Sequence, residues 1–162
     1  MYIKRKISKS LMTFKSLRFG TTCRENKSYR YSATVGVGGN VGDVKRRLDR
    51  LFVYFKRDTR VELVSTSLIL KNPPFGFKNQ DDFFNSIIVL KTNMQPNIFL
   101  DYLMRVEKRF ARKRSFANAP RTLDLDIIFF DNRVIDLEKL QIPHPEWSKR
   151  DSVLIPLMDI NK

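Results

Sequence analysis

The sequence predicts an α+β sandwich in which helices pack on an antiparallel sheet. Two observations predict this class. Alternating or β-branched stretches take turns with stretches whose apolar residues recur every three or four positions, and their order is strand, helix, strand, strand, helix, strand. The length of 162 residues suits one domain, and 42% apolar residues supply its core. No apolar run approaches the roughly 18–20 residues that cross a bilayer, which argues against an integral membrane protein.

The first strand and helix are joined by a glycine-rich turn. Residues 31–38 (YSATVGVG) are rich in β-forming residues and lead into the Gly-Gly-Asn-Val-Gly sequence of residues 38–42, which is typical of a tight turn. After Asp43, apolar residues follow the spacing of an amphipathic helix, which predicts a helix over residues 43–57. The apolar positions are Leu48, Leu51, Phe52 and Phe55.

Two strands and a loop follow. Residues 60–70 (RVELVSTSLIL) alternate and are β-branched, which predicts a strand. Residues 71–80 contain Pro-Pro and Gly, which predict a loop. Residues 83–92 (FFNSIIVLKT) predict the next strand.

The second half repeats helix and strand. Pro96 lies near the start of a helix that runs to about Phe110 and carries apolar residues at helical spacing. Residues 111–119 are a polar, basic loop, residues 121–130 a strand and residues 133–135 a short extended piece, with helical turns near 146–149 and 153–160. This order is the ferredoxin-like βαββαβ arrangement, which places both helices on one face of an antiparallel sheet.

The charge is strongly basic and concentrated at the start. The net charge is +14, and residues 1–30 hold nine basic residues and one acid. A basic chain attracts polyanions such as nucleic acid, anionic lipid or a nucleoside triphosphate. We predict that residues 1–30 form a solvated basic extension, in part helical because Ile7, Leu11, Phe14 and Arg18 follow a loose helical spacing, and that residues 31–162 form the domain. The alternative is an organellar targeting segment.

Cysteine and histidine are too few for several kinds of site. A single cysteine, Cys23, cannot form an internal disulfide, and with the single His144 it cannot build a structural zinc site. Any Ser–His or Cys–His nucleophile would depend on His144 alone, which argues against that chemistry. One cysteine and no secretory signal favour a cytoplasmic protein, with an organelle as the alternative.

Two acids on one predicted strand are the strongest chemical signal. Strand alternation turns the leucines of residues 122–127 (TLDLDI) toward the core, and Asp124 and Asp126 to the other face, with Cα atoms roughly 6.5–7 Å apart. Two carboxylates so close repel each other unless a cation lies between them, and hard oxygen donors suit Mg²⁺ bound together with substrate phosphates. Two acids in this pattern often do no more than lie on an exposed, solvated face of a strand. Here apolar neighbours and nearby cations argue for a site.

Those cations complete a set of groups typical of phosphoryl transfer. Arg121 directly precedes the acids, and Arg112, Lys113 and Arg114 lie in the loop before them. Carboxylates for metal and arginines for phosphate oxygens are what such a site needs. Residues 36–42 are glycine-rich, but they match neither the P-loop pattern nor the dinucleotide pattern. We therefore interpret them as a strand-to-helix turn and not as a phosphate cradle.

Six segments between about residues 33 and 160 form one ordered pattern. The most specific is residues 120–127 (PRTLDLDI). The others are residues 38–42 (GGNVG), 72–76 (NPPFG), 83–85 (FFN), 142–145 (IPHP), and Arg150 with residues 156–157 (PL). Together these segments resemble the 6-hydroxymethyl-7,8-dihydropterin pyrophosphokinase family. The resemblance implies transfer of pyrophosphate from ATP to the hydroxymethyl group of the dihydropterin in folate synthesis, releasing AMP. It also implies two Mg²⁺ ions held by Asp124 and Asp126. We favour a monomer, without a membrane or nucleic-acid partner.

The resemblance also implies roles for individual residues. Those implied in catalysis are Arg112, Arg121, Asp124 and Asp126. Those implied in ATP binding are Glu107, Arg112, Arg114, Arg121, Ile127 through its backbone, His144 and Arg150. Those implied in the pterin pocket are Asn72, Pro73, Phe75, Phe83 and Asn85.

The chain departs from the family pattern at the pterin side. Asn118 stands near a position where members often carry Trp, and Ser152 stands where they usually carry Phe. Two alternatives follow from charge and from these departures: a non-catalytic basic module that binds nucleic acid, and a degenerate regulatory member of the family. The absence of an RNA-recognition aromatic signature on a strand argues against the first.

Overall fold

A computed structural model describes residues 1–25, 28–111 and 116–160. The strands in this part of the chain are β1 (Ile3–Lys6), β2 (Met12–Lys15), β3 (Thr21–Thr22), β4 (Tyr31–Gly39), β5 (Val61–Thr66), β6 (Ile69–Asn72), β7 (Phe83–Thr92), β8 (Asp124–Phe130), β9 (Ile135–Leu137) and β10 (Leu140–Ile142). The helices are α1 (Val44–Arg57), α2 (Pro96–Arg109) and α3 (Asp151–Ile160). None of these helices is long and apolar enough to cross a membrane.

One antiparallel sheet holds eight of these strands. Its main path runs β1, β2, β6, β7, β4 and β8, while β5 pairs with β7 next to β6, and β3 pairs with β5. Strands β9 and β10 form a separate two-stranded sheet. The predicted α+β class with an antiparallel sheet is confirmed, and β7 and β4 lie at its centre.

Both predicted helices are confirmed and cover one face of the sheet. In β4, alternate residues from Tyr31 to Val37 are buried against them. The side chain of Asp43 caps α1 by accepting the Arg46 N–H at 3.1 Å. The two helices meet through aromatic rings, with Phe55 and Tyr102 centroids 6.4 Å apart. The core therefore lies between the sheet and α1 and α2, which leaves the other face of β4 and β8 free for a site.

Helix α3 lies against that other face. It contacts β6 and β7, and the Asp159 carboxylate accepts the Leu68 N–H at 2.8 Å. We predicted only a helical turn over residues 153–160, and the helix begins two residues earlier. In its first turn, Ser152 and Val153 line the same pocket as Gly36 and Gly38 of β4.

The strand predicted over residues 60–70 is divided at Ser67. The parts on either side, β5 and β6, pair with successive stretches of β7. At the break, Ser67 donates its N–H to the Ile87 carbonyl and accepts the Ile87 N–H with its hydroxyl, both at 2.8 Å. The hydroxyl thus takes the place of a strand carbonyl, so the buried ladder stays satisfied across the kink.

The partial helix predicted for residues 1–30 is wrong, because the described residues of this segment form strands β1, β2 and β3. β2 pairs with β6, and β3 pairs with β5. Phe14 and Phe19 are buried in the core, at 7% and 0% exposure. The edges of β5 and β6 offer unpaired backbone groups, and pairing with them satisfies both segments. The division of the chain at residue 30 stays a prediction.

Candidate functional site

A cleft opens on the α3 face of the sheet, beside β4, β7 and β8. Its walls bring together nine residues that the sequence singled out: Asn72, Phe75, Phe83, Asn85, Arg121, Asp124, Asp126, His144 and Arg150. It also includes residues that were not assigned a role: Gly36, Val37, Gly38, Ser86, Asn118, Ile128, Ser152 and Val153. Arg112 and Arg114, which we predicted to bind ATP, lie outside the described residues.

The alternation predicted for the acidic strand is confirmed. Leu125 and Ile127 are buried on the core side, while Asp124 and Asp126 line the cleft. Asp124 is half-buried and accepts a hydrogen bond from the Arg121 guanidinium at 2.7 Å. Asp126 is exposed. Both carboxylates therefore face the solvent-filled side of the sheet.

The glycine-rich turn holds the residue before the acids. The Arg121 N–H donates to the Asn40 side-chain oxygen at 2.9 Å, and the Arg121 carbonyl accepts the Asn40 N–H at 2.9 Å. A Cβ at Gly39 would lie 2.4 Å from the Thr122 carbonyl oxygen, so only glycine allows this approach. Residues 40–43 connect β4 to α1, so the interpretation of this segment as a strand-to-helix turn is confirmed. No pattern in the sequence indicates a role for Asn40, since only the fold shows what its side chain reaches.

Glu107 lies behind the acidic strand. It is 3% exposed, and its carboxylate accepts the Leu125 N–H at 2.8 Å. Leu125 stands between the two cleft acids, so Glu107 ties the outer edge of β8 to α2. The structure does not bring Glu107 into the cleft wall, and the contact with ATP that we predicted for it stays a prediction.

A second pocket adjoins the cleft across the outer edge of β8. It is lined by Leu100, Leu125, Asp126, Ile127, residues 138–141, His144 and Pro145. Asp126 and His144 line both pockets. The strand is irregular here, with a register shift opposite Thr34 and Val35, and the Ile128 carbonyl accepts the His144 N–H at 3.0 Å. This irregularity places the imidazole at the junction of the pockets.

The surroundings of His144 favour the neutral form of its ring. Burial lowers the pKa of its imidazole, and the positive charge of Arg150 lowers it further, while Asp124 and Glu146 act in the opposite direction. Nδ1 accepts the Glu146 N–H at 3.2 Å. In the neutral ring the proton therefore sits on Nε2, which makes His144 a hydrogen-bond donor at Nε2 and not a cation.

We expect the His144 pKa to lie below its ordinary value of about 6.5 in the folded, metal-free protein. The chain has one histidine, so its Hε1 proton signal can be followed by NMR against pH without assignment. The same signal in urea should titrate near the ordinary value, because unfolding returns the ring to water. A folded-state midpoint at or above the unfolded one would contradict this prediction.

Arg150 faces the cleft as a partly unsatisfied cation. Its Nε is buried and makes no hydrogen bond within the described part of the chain. Its guanidinium carbon lies 4.7 Å from the centre of the Phe75 ring. A buried donor in a cleft that also holds two acids fits a ligand that brings anionic oxygens.

The end of the cleft at the start of β7 is built from amides and an aromatic ring. Asn85 donates its side-chain N–H to the Asn72 side-chain oxygen at 2.7 Å. The Arg121 guanidinium carbon lies 5.7 Å from the centre of the Phe83 ring. Pro73 is exposed and outside the cleft wall; its carbonyl accepts a hydrogen bond from Asn72 at 2.9 Å. Flat ring faces and paired amides suit a planar, polar heterocycle.

Two loops border this end and touch each other. Gln80 donates its side-chain N–H to the Asn118 carbonyl at 2.9 Å, and the Asn40 side-chain N–H donates to the Gln80 side-chain oxygen at 2.9 Å. At the loop tips, the Phe77 and Phe116 rings pack edge to face with centroids 5.6 Å apart. Asn118, noted above as a departure, therefore faces the cleft from a position held by both loops.

The donor set fits a cation that arrives with a phosphate ligand. Within residues 1–25, 28–111 and 116–160, no three His, Cys, Asp or Glu side chains are grouped to hold a metal by themselves. The carboxylate pair on β8 leaves most coordination positions to other oxygens. Mg²⁺ is typically bound in this way, by one or two carboxylates, water and substrate phosphates.

Comparison with known proteins gives one consistent result. The family model described as 7,8-dihydro-6-hydroxymethylpterin-pyrophosphokinase matches residues 34–162. A protein of Campylobacter jejuni named 2-amino-4-hydroxy-6-hydroxymethyldihydropteridine pyrophosphokinase is 40% identical over 145 residues, covering 89% of this chain and 92% of that protein. A Helicobacter pylori protein of the same name is 38% identical over 141 residues, covering 86% of each.

Proposed function

The chain belongs to the 7,8-dihydro-6-hydroxymethylpterin-pyrophosphokinase family, and on that premise we propose that it transfers pyrophosphate from ATP to 6-hydroxymethyl-7,8-dihydropterin in folate biosynthesis. The products are the pterin diphosphate and AMP. The observation that carries the proposal is the pair of adjoining pockets, which share Asp126 and His144 at their junction. A reaction between two bound substrates needs such a junction, because the reacting atoms must come within about 3–3.5 Å.

The second pocket suits the nucleoside part of ATP. The Leu125 N–H points to the outer edge of β8, where it reaches Glu107. Ile127, two residues further along, lines the pocket at the same edge, so its backbone can offer a donor and an acceptor to a base. Leu100 gives that pocket an apolar wall. The triphosphate then extends past His144 toward the cleft.

The cleft suits the pterin. Phe83 offers a ring face, and the Asn72 and Asn85 amides offer donors and acceptors to the edge of a heterocycle. In the free protein these two amides bond to each other, so they are satisfied until a ligand replaces that contact. Phe75 also lines the cleft, and Pro73 stands just outside the wall.

Two Mg²⁺ ions would be held at Asp124 and Asp126, with the remaining ligands from phosphate and water. Bound there, they would supply charge neutralisation on the phosphate oxygens. In the free protein Arg121 already pairs with Asp124, so this carboxylate is oriented before any ligand arrives.

The chemistry is an in-line substitution at the β-phosphorus of ATP. The pterin hydroxyl oxygen forms a bond to that phosphorus, the bond to the α–β bridging oxygen breaks, AMP leaves with that oxygen, and the hydroxyl proton passes to water. Negative charge grows on the bridging oxygen, and the fixed guanidinium groups of Arg121 and Arg150 and the Nε2–H of His144 stabilise it. Arg112 and Arg114 stay predicted members of the same set.

The test is the release of AMP. We expect AMP and pterin diphosphate to form when ATP, the hydroxymethyl dihydropterin and Mg²⁺ are all present, and neither to form when the pterin is omitted or Mg²⁺ is chelated. Folded protein that releases no AMP with all three present would contradict the proposal. Binding of the pterin in the presence of a non-hydrolysable ATP analogue would then identify a degenerate member of the family.

The nucleic-acid alternative is not favoured, because the family match and the named relatives are pyrophosphokinases. A cytoplasmic location and a monomeric state stay predictions.

A further inference from the structure

We infer that Phe75, in the loop between β6 and β7, supplies the second ring face on which the pterin stacks. The residues of α3 that line the cleft, Ser152 and Val153, carry no aromatic ring. The inference rests on the proposed function and goes beyond it, because it assigns the wall of the pocket that determines the fit of a flat substrate. It also predicts that the loop, and not the helix, controls pterin affinity.

The composition of the wall is the first reason. Phe83 and Phe75 are the two phenylalanines among the residues that line the described part of the cleft, and His144 is held at its junction with the second pocket. A flat heterocycle is held best when both its faces are covered by rings. Phe83 belongs to β7 and is half-buried, so it forms a fixed face. Helix α3 contributes Ser152 and Val153, and neither side chain has a face on which a ring can stack.

The state of the Phe75 ring is the second reason. It is 62% exposed, although it borders a pocket. The guanidinium of Arg150, with its central carbon 4.7 Å from the ring centre, covers part of the ring and holds it near the cleft. A ligand stacked on this ring would bury apolar surface that the free protein leaves in water, which favours binding.

A neighbouring residue provides the contrast. Phe77, two positions along the same loop, is 42% exposed, but its ring packs against Phe116 and lies outside the cleft wall. The loop therefore presents one aromatic ring to the cleft and uses the other to hold the loops together. Phe77 is the matched control for Phe75.

The test compares pterin binding by wild-type protein, Phe75→Leu, Phe77→Leu, Ser152→Phe and the Phe75→Leu/Ser152→Phe double variant. Pterin affinity is measured by fluorescence with Mg²⁺ and a non-hydrolysable ATP analogue at saturation, and the affinity for the analogue is measured separately. Phe75 is exposed, so replacing it with leucine should leave the fold intact. We expect Phe75→Leu to weaken pterin binding by roughly 2- to 10-fold, the usual value of an aromatic contact. Phe77→Leu should bind the pterin like wild type.

The pterin affinity of the double variant is the most decisive measurement. An aromatic ring at position 152 would restore a second face from α3, so we expect it to recover most of the affinity that Phe75→Leu loses. Affinity for the ATP analogue should stay within about twofold throughout, because leucine keeps an apolar surface against the Arg150 guanidinium and Phe75 itself has no ionic or hydrogen-bonding group to offer a phosphate. If Phe75 only stabilised the loop, Ser152→Phe would not restore pterin affinity in the double variant while the affinity for the ATP analogue stayed unchanged.

Three outcomes would overturn the inference. Wild-type affinity in Phe75→Leu, or equal losses in Phe75→Leu and Phe77→Leu, would show that the ring does not stack on the pterin. Failure of Ser152→Phe to rescue the double variant would show that the lost contact is not a stacking face. In each of these three cases wild-type protein still binds the pterin, so the proposed function stands. If wild-type protein binds no pterin at all, the proposed function fails and the inference fails with it.

Discussion

Replacing Asp126 with asparagine is expected to lower the rate of AMP formation by on the order of 10²–10⁴, since removing charge stabilisation of a phosphoryl group costs several kcal/mol. Asp126 lines both pockets, so the change removes a negative charge at their junction. The amide keeps the shape of the side chain but is a weak ligand for Mg²⁺. Because the side chain is exposed, the folded structure should survive.

The measurement is the initial rate of AMP release against Mg²⁺ concentration. We expect the variant to need more Mg²⁺ for half-maximal activity, which a general loss of folding would not cause. Asp101→Asn is the matched control, since Asp101 is an exposed acid of α2 that lines neither pocket. Near-normal turnover in Asp126→Asn would refute the role of Asp126 in binding the cation.

Gly39→Ala is expected to reduce both stability and activity. The added methyl group would lie 2.4 Å from the Thr122 carbonyl oxygen, and this neighbour is backbone and cannot rotate away. Overpacking of this kind typically costs about 1–3 kcal/mol. Since Arg121 and Thr122 lead directly into Asp124, relief of the clash must displace the start of the acidic strand.

Thermal unfolding and AMP release measure the two effects. About 1 kcal/mol corresponds to roughly 2–4 °C in a chain of this size, so a drop of several degrees is expected. Gly36→Ala is the control, because a Cβ there would be 3.4 Å from the end of the Ile128 side chain, an ordinary contact. Equal melting temperatures for the two variants would show that the close approach at Gly39 carries no strain.

The elements that depend on local pattern could be predicted from the sequence. The period of two in residues 122–127 is enough to place Asp124 and Asp126 on one face, because strand alternation needs no knowledge of neighbours. The two long helices follow from their apolar spacing in the same way.

Features that depend on distant partners could not be predicted. The break at Ser67 is stabilised by Ile87, and the role of Asn40 depends on Arg121, which is far away in sequence. Glu107 could be selected by resemblance, but its place behind β8 requires the packing of α2. The N-terminal strands were missed because β2 and β3 join the sheet by pairing with β6 and β5, which are about 45 to 60 residues away in sequence.

Those N-terminal strands bear on how the protein can be shortened. Phe14 and Phe19 lie in the hydrophobic core, and burying a ring of this size contributes about 1.5–3 kcal/mol. A protease or a cloning boundary that removed the first thirty residues would open a hole in the core and expose two strand edges to aggregation. The leading segment is therefore not dispensable, and an affinity tag should be added ahead of it and not substituted for it.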